Sequence, residues 1–473
     1  MSEENKIAII GGGLTGLTTA FFLKQQIEKK KLHNITIQIF EANHFGGNIQ
    51  SQEFEGVNLE KGHDYFESQN GLPLRMLKDL GFSNEEILQK KAKDLTRFLI
   101  KDSNPVKIPG RKKSFMTNSI LFLGDKMKAK AGYKKPLSAW AGMSIFEVFV
   151  NLMGPSFAEY FSSVMAKYLF MSEAEDIEFS SAFPLVFKQM SQGVTFKQAL
   201  LNVTTTNKEY WQKELGEVYF AGELASFDTG LLITPLSGMS SIIEKLKEKL
   251  KEKSEFVKVE LHSQKVTRIL KIKNQYQINS KNTKFANIDY VVSTVNSTDM
   301  APLFKELDKN ISHQLKEEKP QASTAIIYSS WNVKEMKMPG FALYSPRKEK
   351  QMFTGSLNLS LAFPQKYPNQ VLTRTIISGD SSVFSEEETA NLFHENINRL
   401  FRSEVKPKWY KTYHLQNSIP DYSKGHFERW QMLDKKIAQY ENIYINSQSR
   451  TGFLLDERLE QSYKLAQTIT NKI

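Results

Sequence analysis

Cysteine is absent from all 473 residues. This absence excludes disulfides, metal sites built on thiolates and a cysteine nucleophile. Long apolar runs are missing too: no stretch of about 18 consecutive apolar residues occurs, so a membrane-spanning helix is not expected. The most apolar region, residues 137–170, is interrupted by Glu147, Glu159 and Lys167.

Motifs of two common enzyme classes are also missing. The G-x-x-x-x-G-K-[ST] loop, which binds nucleotide phosphates in NTPases, does not occur. The eight histidines show no close spacing of the kind that a metal site needs, so a metal enzyme is not expected. They are His33, His44, His63, His262, His313, His394, His414 and His426.

Acidic residues are outnumbered by basic ones, and the formal net charge is +11. Such an excess suits a nucleic acid, an anionic membrane surface or a polyanionic substrate. No nucleic-acid-binding module and no interleaved aromatic and basic motif is present, so nucleic acid is not an expected partner. The first five residues are polar and show no secretory signal, which together with the lack of cysteine favours the cytoplasm.

The clearest signal in the sequence is a strand, a turn and a helix near the start of the chain. The apolar run Ile7–Ile10 predicts a buried strand, and Leu17 begins a long helical stretch. Between them lies Gly11-Gly12-Gly13-Leu14-Thr15-Gly16, which contains G-x-G-x-x-G. The second strand, Ile35–Phe40, ends before Glu41.

Each part of this unit suits a dinucleotide. Gly11 permits the tight turn, Gly13 lets a pyrophosphate approach the backbone, and Gly16 lets helix and sheet pack closely. The N–H groups at the start of the helix face the phosphates. Glu41 can accept hydrogen bonds from a ribose, and an acid at this place argues against a 2′-phosphorylated nucleotide. The context of strand, helix and acid strengthens a motif that is weak alone.

The segment after the second strand resembles the flavin-dependent amine oxidase superfamily. Those proteins carry Glu-Ala-x-x-Arg-x-Gly-Gly, and this sequence keeps Glu41, Ala42, Gly46 and Gly47. The resemblance implies a non-covalently bound FAD, with the Gly46-Gly47 backbone against it. The segment is one residue shorter and lacks the arginine that helps to hold the pyrophosphate in the family. His44 is the nearest polar substitute.

Three further segments resemble family elements that contact the cofactor. Gly62-His63-Asp64-Tyr65-Phe66 resembles Gly-Pro-x-x-Phe, which implies that Gly62 and His63 lie near the flavin ring. Val266 stands where the family passes the adenine end, although an ordinary hairpin strand fits the pattern equally well. The C-terminal glycine-rich turn keeps only Gly452, and Ser447 carries a Cβ where glycine allows closest approach. Arg450 is a candidate replacement for the missing arginine.

Within the superfamily, the chain is most similar to the branch that oxidises porphyrinogens in haem biosynthesis. The most specific match is the segment 419–426, which resembles Met-Pro-x-Tyr-x-x-Gly-His. The resemblance implies an FAD-dependent oxidase that acts on a tetrapyrrole, protoporphyrinogen or coproporphyrinogen, with oxygen as electron acceptor. Tyr422, His426 and His63 are candidate polar residues near the ring, although a lone histidine is more often structural. No catalytic residue is assigned.

Two other functions stay open. One is a flavin oxidase of the same fold that acts on an amine or a carotenoid-like molecule, although neither the aromatic cage nor the lysine of amine oxidases can be assigned. The other is a relative without activity that binds FAD weakly or carries porphyrin. The missing arginine and the altered C-terminal turn motivate this second alternative.

The predicted fold is α/β, with several domains because the chain is too long for one simple core. A Rossmann-like FAD-binding domain comprises residues 1–80, 226–302 and 415–473. A discontinuous α+β substrate part comprises a mostly helical subdomain, 81–225, and a sheet-containing domain, 303–414. The helical part carries Arg111-Lys112-Lys113 and five lysines between 126 and 135, with apolar residues between these clusters. The clusters suit a solvated face, an anionic membrane surface or the carboxylates of a substrate.

Overall fold

The computed structural model describes residues 4–110, 112–136, 141–216, 230–318, 324–336, 338–378, 383–415, 419–452 and 454–473. Arg111, the side chains of Lys112 and Lys113, and the predicted boundary between residues 225 and 226 lie outside this description.

Within the described residues, the strands fall into five sheets. In chain order they are β1 (Asn5–Ile10), β2 (Ile35–Phe40), β3 (Ser51–Phe54), β4 (Val57–Glu60), β5 (Phe66–Ser68), β6 (Ile87–Lys91), β7 (Arg97–Lys101), β8 (Asn104–Lys107), β9 (Leu231–Pro235), β10 (Val257–His262), β11 (Val266–Ile272), β12 (Gln275–Ser280), β13 (Lys284–Ile288), β14 (Tyr290–Ser293), β15 (Thr324–Trp331), β16 (Ala342–Tyr344), β17 (Gly355–Asn358), β18 (Val371–Ser378), β19 (Trp409–Leu415) and β20 (Ile443–Ile445).

The helices surround and connect these sheets. They are α1 (Leu14–Lys30), α2 (Leu72–Asp79), α3 (Lys112–Thr117), α4 (Leu123–Gly132), α5 (Ile145–Met153), α6 (Pro155–Phe157), α7 (Ser163–Phe170), α8 (Phe179–Ala182), α9 (Pro184–Met190), α10 (Phe196–Leu215), α11 (Ser240–Lys251), α12 (Ser297–Phe304), α13 (Lys309–Glu317), α14 (Leu359–Ala362), α15 (Glu386–Phe401), α16 (His426–Ile437), α17 (Gln448–Thr451) and α18 (Leu455–Thr470).

A five-stranded parallel sheet forms the centre of the predicted cofactor domain. Its order is β10-β2-β1-β14-β20, so strands from three distant parts of the chain lie side by side. The strand β2 is buried along its whole length, as expected for a parallel strand covered on both faces. The predicted Rossmann-like α/β architecture is therefore confirmed.

Side chains alternate between the two faces of this sheet. Ile7 and Ile9 of β1 belong to a core that also contains residues of α1, α2, α11 and α18. Ala8 and Ile10 belong to a second core, to which α12, α13 and α16 contribute. Helices thus cover both faces, and α1 packs directly against α18 from the end of the chain.

The carboxyl ends of the parallel strands meet at one edge of the sheet. Because β2 and β14 lie on opposite sides of β1, the strand order reverses at β1. Open α/β sheets bind their ligands at such a point, beyond the carboxyl ends of the strands. Gly16 packs against the turn after β1: a Cβ added to it would lie 1.9 Å from the Gly11 carbonyl oxygen. This contact explains why only glycine fits at position 16.

A seven-stranded sheet forms the second layer of the molecule, in the order β19-β15-β18-β17-β16-β7-β8. The apolar runs at residues 325–328 and 371–377 predict strands, and residues 386–401 predict a helix; the structure forms β15, β18 and α15 at these places. The prediction that the part 81–225 is mostly helical is wrong for β6, β7 and β8. Distant strands pair with two of them, β9 with β6 and β16 with β7, and β8 joins the sheet as the hairpin partner of β7.

The described residues between 112 and 215 form a helical part, α3 to α10. Its core is rich in phenylalanine and includes Phe149, Phe179 and Phe196. Ser144 and Glu147 form a capping box that fixes the start of α5. Among the described residues, no helix is long and apolar enough to cross a membrane.

His426 begins α16 and joins it to two other parts of the fold. Its ring nitrogens lie 2.8 Å from the Ser449 carbonyl oxygen and 3.0 Å from the Ser181 hydroxyl oxygen. The side chain is buried, and loss of solvation lowers the pKa of His426 to about 4, although the Ser449 carbonyl opposes this change. The folded protein therefore holds a neutral imidazole at neutral pH.

A tight contact between α4 and α5 provides a test of the packing. A Cβ on Gly132 would lie 1.4 Å from the Leu152 carbonyl oxygen, whereas a Cβ on Gly124, in the same helix, would meet nothing within 4 Å. We expect Gly132→Ala to lower the free energy of unfolding by about 1–3 kcal/mol through overpacking. Gly124→Ala should change it by less than about 1 kcal/mol, in the stabilising direction. Equal unfolding midpoints in urea for the two variants would contradict this packing.

His426 gives a second prediction, for the dependence of stability on pH. Its pKa is lowered by folding, so the unfolded chain takes up the proton first, and stability falls as the pH drops from about 6.5 towards 4. At pH 5 this loss is about 2 kcal/mol relative to pH 8. His426→Gln should remove this part of the acid sensitivity, whereas the exposed His313→Gln should keep it. Urea titrations at both pH values measure the difference, and parallel curves for His426→Gln and the unsubstituted chain would be evidence against it.

Candidate functional site

A cavity of about 2150 Å³ begins at the carboxyl ends of the parallel strands. It continues between the seven-stranded sheet and the helical part, where Ile326, Leu357 and Phe149 line it. Pockets for one small ligand are usually about 300–1,000 Å³. The cavity is therefore large enough for a dinucleotide and a second molecule together.

A cradle of bare backbone lies at the sheet end of the cavity. Gly13 and Gly46 form a bridge between the two glycine segments, and the Gly46 N–H donates to the Gly12 carbonyl over 2.8 Å. A Cβ on Gly13 would find only the Gly47 Cα, 4.0 Å away. The helix α1 begins at Leu14 with no acidic residue in its first turn. Open N–H groups and the absence of side chains fit a diphosphate at this point.

Glu41 lines the same end of the cavity, and its carboxylate is held in place by the backbone. One oxygen accepts from the Gly12 N–H over 2.7 Å and the other accepts from the Asn43 N–H over 2.8 Å. Each oxygen keeps a further lone pair for the hydroxyl of a ribose. The residues present therefore fit a dinucleotide whose ribose carries no phosphate.

The turn with Gly62 and His63 forms the next part of the wall. Arg374, on β18, donates to the Gly62 carbonyl over 2.9 Å and forms an ion pair with Asp64, with 2.6 Å between Nε and Oδ2. The Tyr328 hydroxyl, from β15, lies 2.6 Å from the other Asp64 oxygen. The seven-stranded sheet thus positions this turn against the cofactor end of the cavity.

His63 is neutral in this environment. Loss of solvation, together with the positive charges of Arg374 and Arg458, lowers the pKa of His63 to about 3. A neutral imidazole on the cavity wall can donate one hydrogen bond and accept another.

The far end of the cavity is aromatic and basic. The rings of Tyr168 and Tyr344 meet edge to face with centroids 4.9 Å apart. The Arg97 guanidinium lies 3.7 Å from the Glu67 carboxylate and donates to the Ala92 carbonyl over 3.2 Å. Five lysines line the same cavity: Lys61 beside the Gly62 turn, and Lys93, Lys130, Lys134 and Lys197.

Most of the residues predicted to bind the cofactor line this cavity. They are Gly11, Gly13, Leu14, Thr15, Glu41, Gly46, Gly47, Gly62 and His63. The others lie outside its wall. Gly16 packs under the Gly11 turn, Ala42 is exposed, and Val266 is buried in the core around β11. Ser447 is buried before α17, and Gly452 follows α17 with a φ of 104°.

Three residues suggested by the sequence have structural contacts instead. Arg450 forms an ion pair with Asp434, 2.7 Å away, and does not line the cavity, so it does not replace the missing arginine. The Tyr422 hydroxyl donates to the Gln448 carbonyl over 2.7 Å. His426 has the two contacts already described. Tyr422 and His426 thus hold the C-terminal turn at Gln448 and Ser449 in place, and neither residue lines the cavity.

Sequence reasoning missed all three arginines of the described cavity wall, Arg97 among them. Arg374 stands at an inward position of β18, and Arg458 stands in the first turns of α18. The sequence signal for Arg374 is a single arginine inside an apolar strand. The signal for Arg458 is a basic residue among the acidic residues that begin the last helix, where the dipole favours anions.

Comparisons with known proteins agree with this site. The family model described as flavin containing amine oxidoreductase matches residues 14–450. Coproporphyrinogen III oxidase of Bacillus subtilis (strain 168) is 23% identical, over 98% of this chain and 97% of its own. Protoporphyrinogen oxidase of Dictyostelium discoideum is also 23% identical, over 98% of both chains.

A solved structure from Exiguobacterium sp. 255-15, provisionally described as a protoporphyrinogen oxidase, has the same fold. Its TM-score is 0.73 at 16% identity, and the match covers 99% of both chains. The resemblance to the flavin-dependent amine oxidase superfamily is therefore confirmed. FAD is confirmed as the cofactor on the same grounds. The chain belongs to the flavin containing amine oxidoreductase family and is an FAD-dependent oxidoreductase.

Proposed function

We propose that the protein oxidises a porphyrinogen in haem biosynthesis and passes the electrons to oxygen. The observation that carries this proposal is the continuity of the cavity, from the glycine cradle to a chamber of aromatic and basic residues. The relatives that match the whole length of the chain support it, since they are named as oxidases of coproporphyrinogen and protoporphyrinogen. Bound FAD supplies the redox chemistry by accepting hydride and reducing oxygen.

The chamber suits a tetrapyrrole because it offers both kinds of contact that this molecule needs. Tyr168, Tyr344 and Phe341 present ring surfaces to an apolar macrocycle. Arg97 and the cavity lysines can bind its carboxylates through charge-assisted hydrogen bonds, which are stronger than neutral ones. These residues orient the substrate, and the Gly62–Tyr65 turn lines the cavity where the chamber meets the cradle.

The charges of the cavity disfavour a cationic amine. Its described wall holds eight arginines and lysines but only five acidic residues. Burial raises the pKa of Glu67 and of Asp456, which reduces the negative charge that an amine would find. A polyanionic substrate is therefore the better electrostatic match, and coproporphyrinogen carries more carboxylates than protoporphyrinogen.

We expect the FAD-loaded protein in air to convert coproporphyrinogen III to the porphyrin, with hydrogen peroxide as the reduced product of oxygen. Arg97→Gln should raise KM for coproporphyrinogen about 10–100-fold, because a hydrogen bond to a charged group is lost. The control Arg268→Gln breaks an exposed ion pair with Glu306 and should leave KM unchanged.

Porphyrin fluorescence and a peroxide assay measure the turnover, with protoporphyrinogen and putrescine as alternative substrates. Turnover of the amine without porphyrin formation would overturn the proposal. A flavin that no porphyrinogen reduces would favour the alternative of a relative without activity.

We also propose that one face of the helical part contacts the anionic inner surface of the cell membrane. Three large apolar side chains are exposed at the start of α4: Phe122 (79%), Leu123 (64%) and Met127 (61%). Lys101 Nζ lies 5.2 Å from the centre of the Phe122 ring. Apolar side chains that enter the membrane interface add to binding by burying their surface there. Each lysine near an anionic membrane adds about 1 kcal/mol.

The triple substitution of Phe122, Leu123 and Met127 by serine should weaken binding to phosphatidylserine vesicles at least tenfold, because the apolar contact is lost. The control Leu392→Ser removes an exposed leucine of α15. Sedimentation with vesicles at low and high salt measures binding. Equal binding of the triple variant and the control would contradict the proposal.

A further inference from the structure

Arg458 stands out among the charged residues of the cofactor site. It lies in the first turns of α18 and lines the cavity. Its Nη2 contacts the Thr15 hydroxyl oxygen, and its Nη1 lies 3.4 Å from Gln448 Oε1. Thr15 belongs to the first turn of α1, next to the glycine cradle. The guanidinium is therefore held at the open end of α1.

The charge of Arg458 has no acidic partner among the described residues. Its contacts are a hydroxyl and an amide oxygen, and both are neutral. Loss of solvation lowers the pKa of Arg458 to about 10, and the Tyr422 hydroxyl opposes this only in part. The guanidinium is still charged at neutral pH. Charges inside proteins are normally paired, because an isolated charge is costly to remove from water.

The arginine that the family uses for the pyrophosphate is missing from the segment after β2. His44 does not replace it: the ring is exposed and lies 3.1 Å from the Gly47 carbonyl oxygen and 2.7 Å from Gln50 Nε2. Arg450 is already paired with Asp434. Arg458 is thus the arginine that the fold brings to the cradle without an acidic partner.

We propose that Arg458 binds the diphosphate of FAD and supplies, from α18, the positive charge that the segment after β2 lacks. The diphosphate fits this place because the N–H groups of α1 and a forked guanidinium would act on the same oxygens. Since α1 packs against α18, cofactor binding then joins the first and the last helix of the chain through one anion.

The test uses the full-length protein after removal of FAD and measures the binding of ADP and of adenosine by calorimetry. ADP carries the diphosphate and adenosine does not. Arg458→Met should weaken ADP binding about 10–100-fold, as expected for a lost charged hydrogen bond, and leave adenosine binding unchanged. The control Arg450→Met should bind both ligands as the unsubstituted protein does. FAD binding, followed by flavin fluorescence, should weaken in parallel with ADP.

Unchanged ADP binding by Arg458→Met would overturn the proposal, as would an equal loss for ADP and adenosine. The first result would leave Arg458 a role at the flavin ring, and the second would indicate a general distortion of the site. If Arg458→Met does not fold, Arg458→Lys provides the same test, because lysine keeps the charge and loses the fork. It should bind ADP several-fold more weakly, and unchanged ADP binding by this variant would equally overturn the proposal.

Discussion

The functional site depends on the buried ion pair between Arg374 and Asp64. Arg374 belongs to the seven-stranded sheet, and Asp64 belongs to the turn beside the parallel sheet, so the pair joins the two layers that enclose the cavity. The Tyr328 hydroxyl donates to Asp64, and Arg374 donates to the Gly62 carbonyl. Removal of one partner from such a pair costs about 3–5 kcal/mol, because the other charge stays buried. The pair thereby holds the Gly62–Tyr65 turn, which lines the cavity between its two ends.

The two ends of the cavity recognise anions by different means. At the sheet end, bare glycine backbone and the start of α1 offer N–H groups, and Arg458 adds a full charge. At the far end, Arg97 and four lysines stand among tyrosine and phenylalanine rings. The first arrangement suits a compact diphosphate, whereas the second suits separate carboxylates on a wide apolar body. The net charge of +11 is thus concentrated in part where both ligands would bind.

The parts of the fold that local sequence determines could be predicted. Strand β2 and helix α15 have the predicted limits, because a buried apolar run and a capping box define their ends. Strand β7 could not be predicted, since it forms through pairing with β16, more than 200 positions later. The same holds for the site: the glycines carry a local motif, whereas Arg374 and Arg458 reach it only through long-range packing. The error over Arg450 has this cause, because its partner Asp434 lies on another helix.

In the proposed function, one cavity holds FAD and a porphyrinogen in contact for electron transfer. This arrangement can be tested by mixing the FAD-loaded protein with excess coproporphyrinogen III in the absence of oxygen and following the flavin absorption in time. We expect the oxidised flavin bands to bleach in a single phase whose rate saturates with substrate, and to return when oxygen is admitted. Flavin bands that stay unchanged with coproporphyrinogen and protoporphyrinogen, in a protein that retains its FAD, would contradict it.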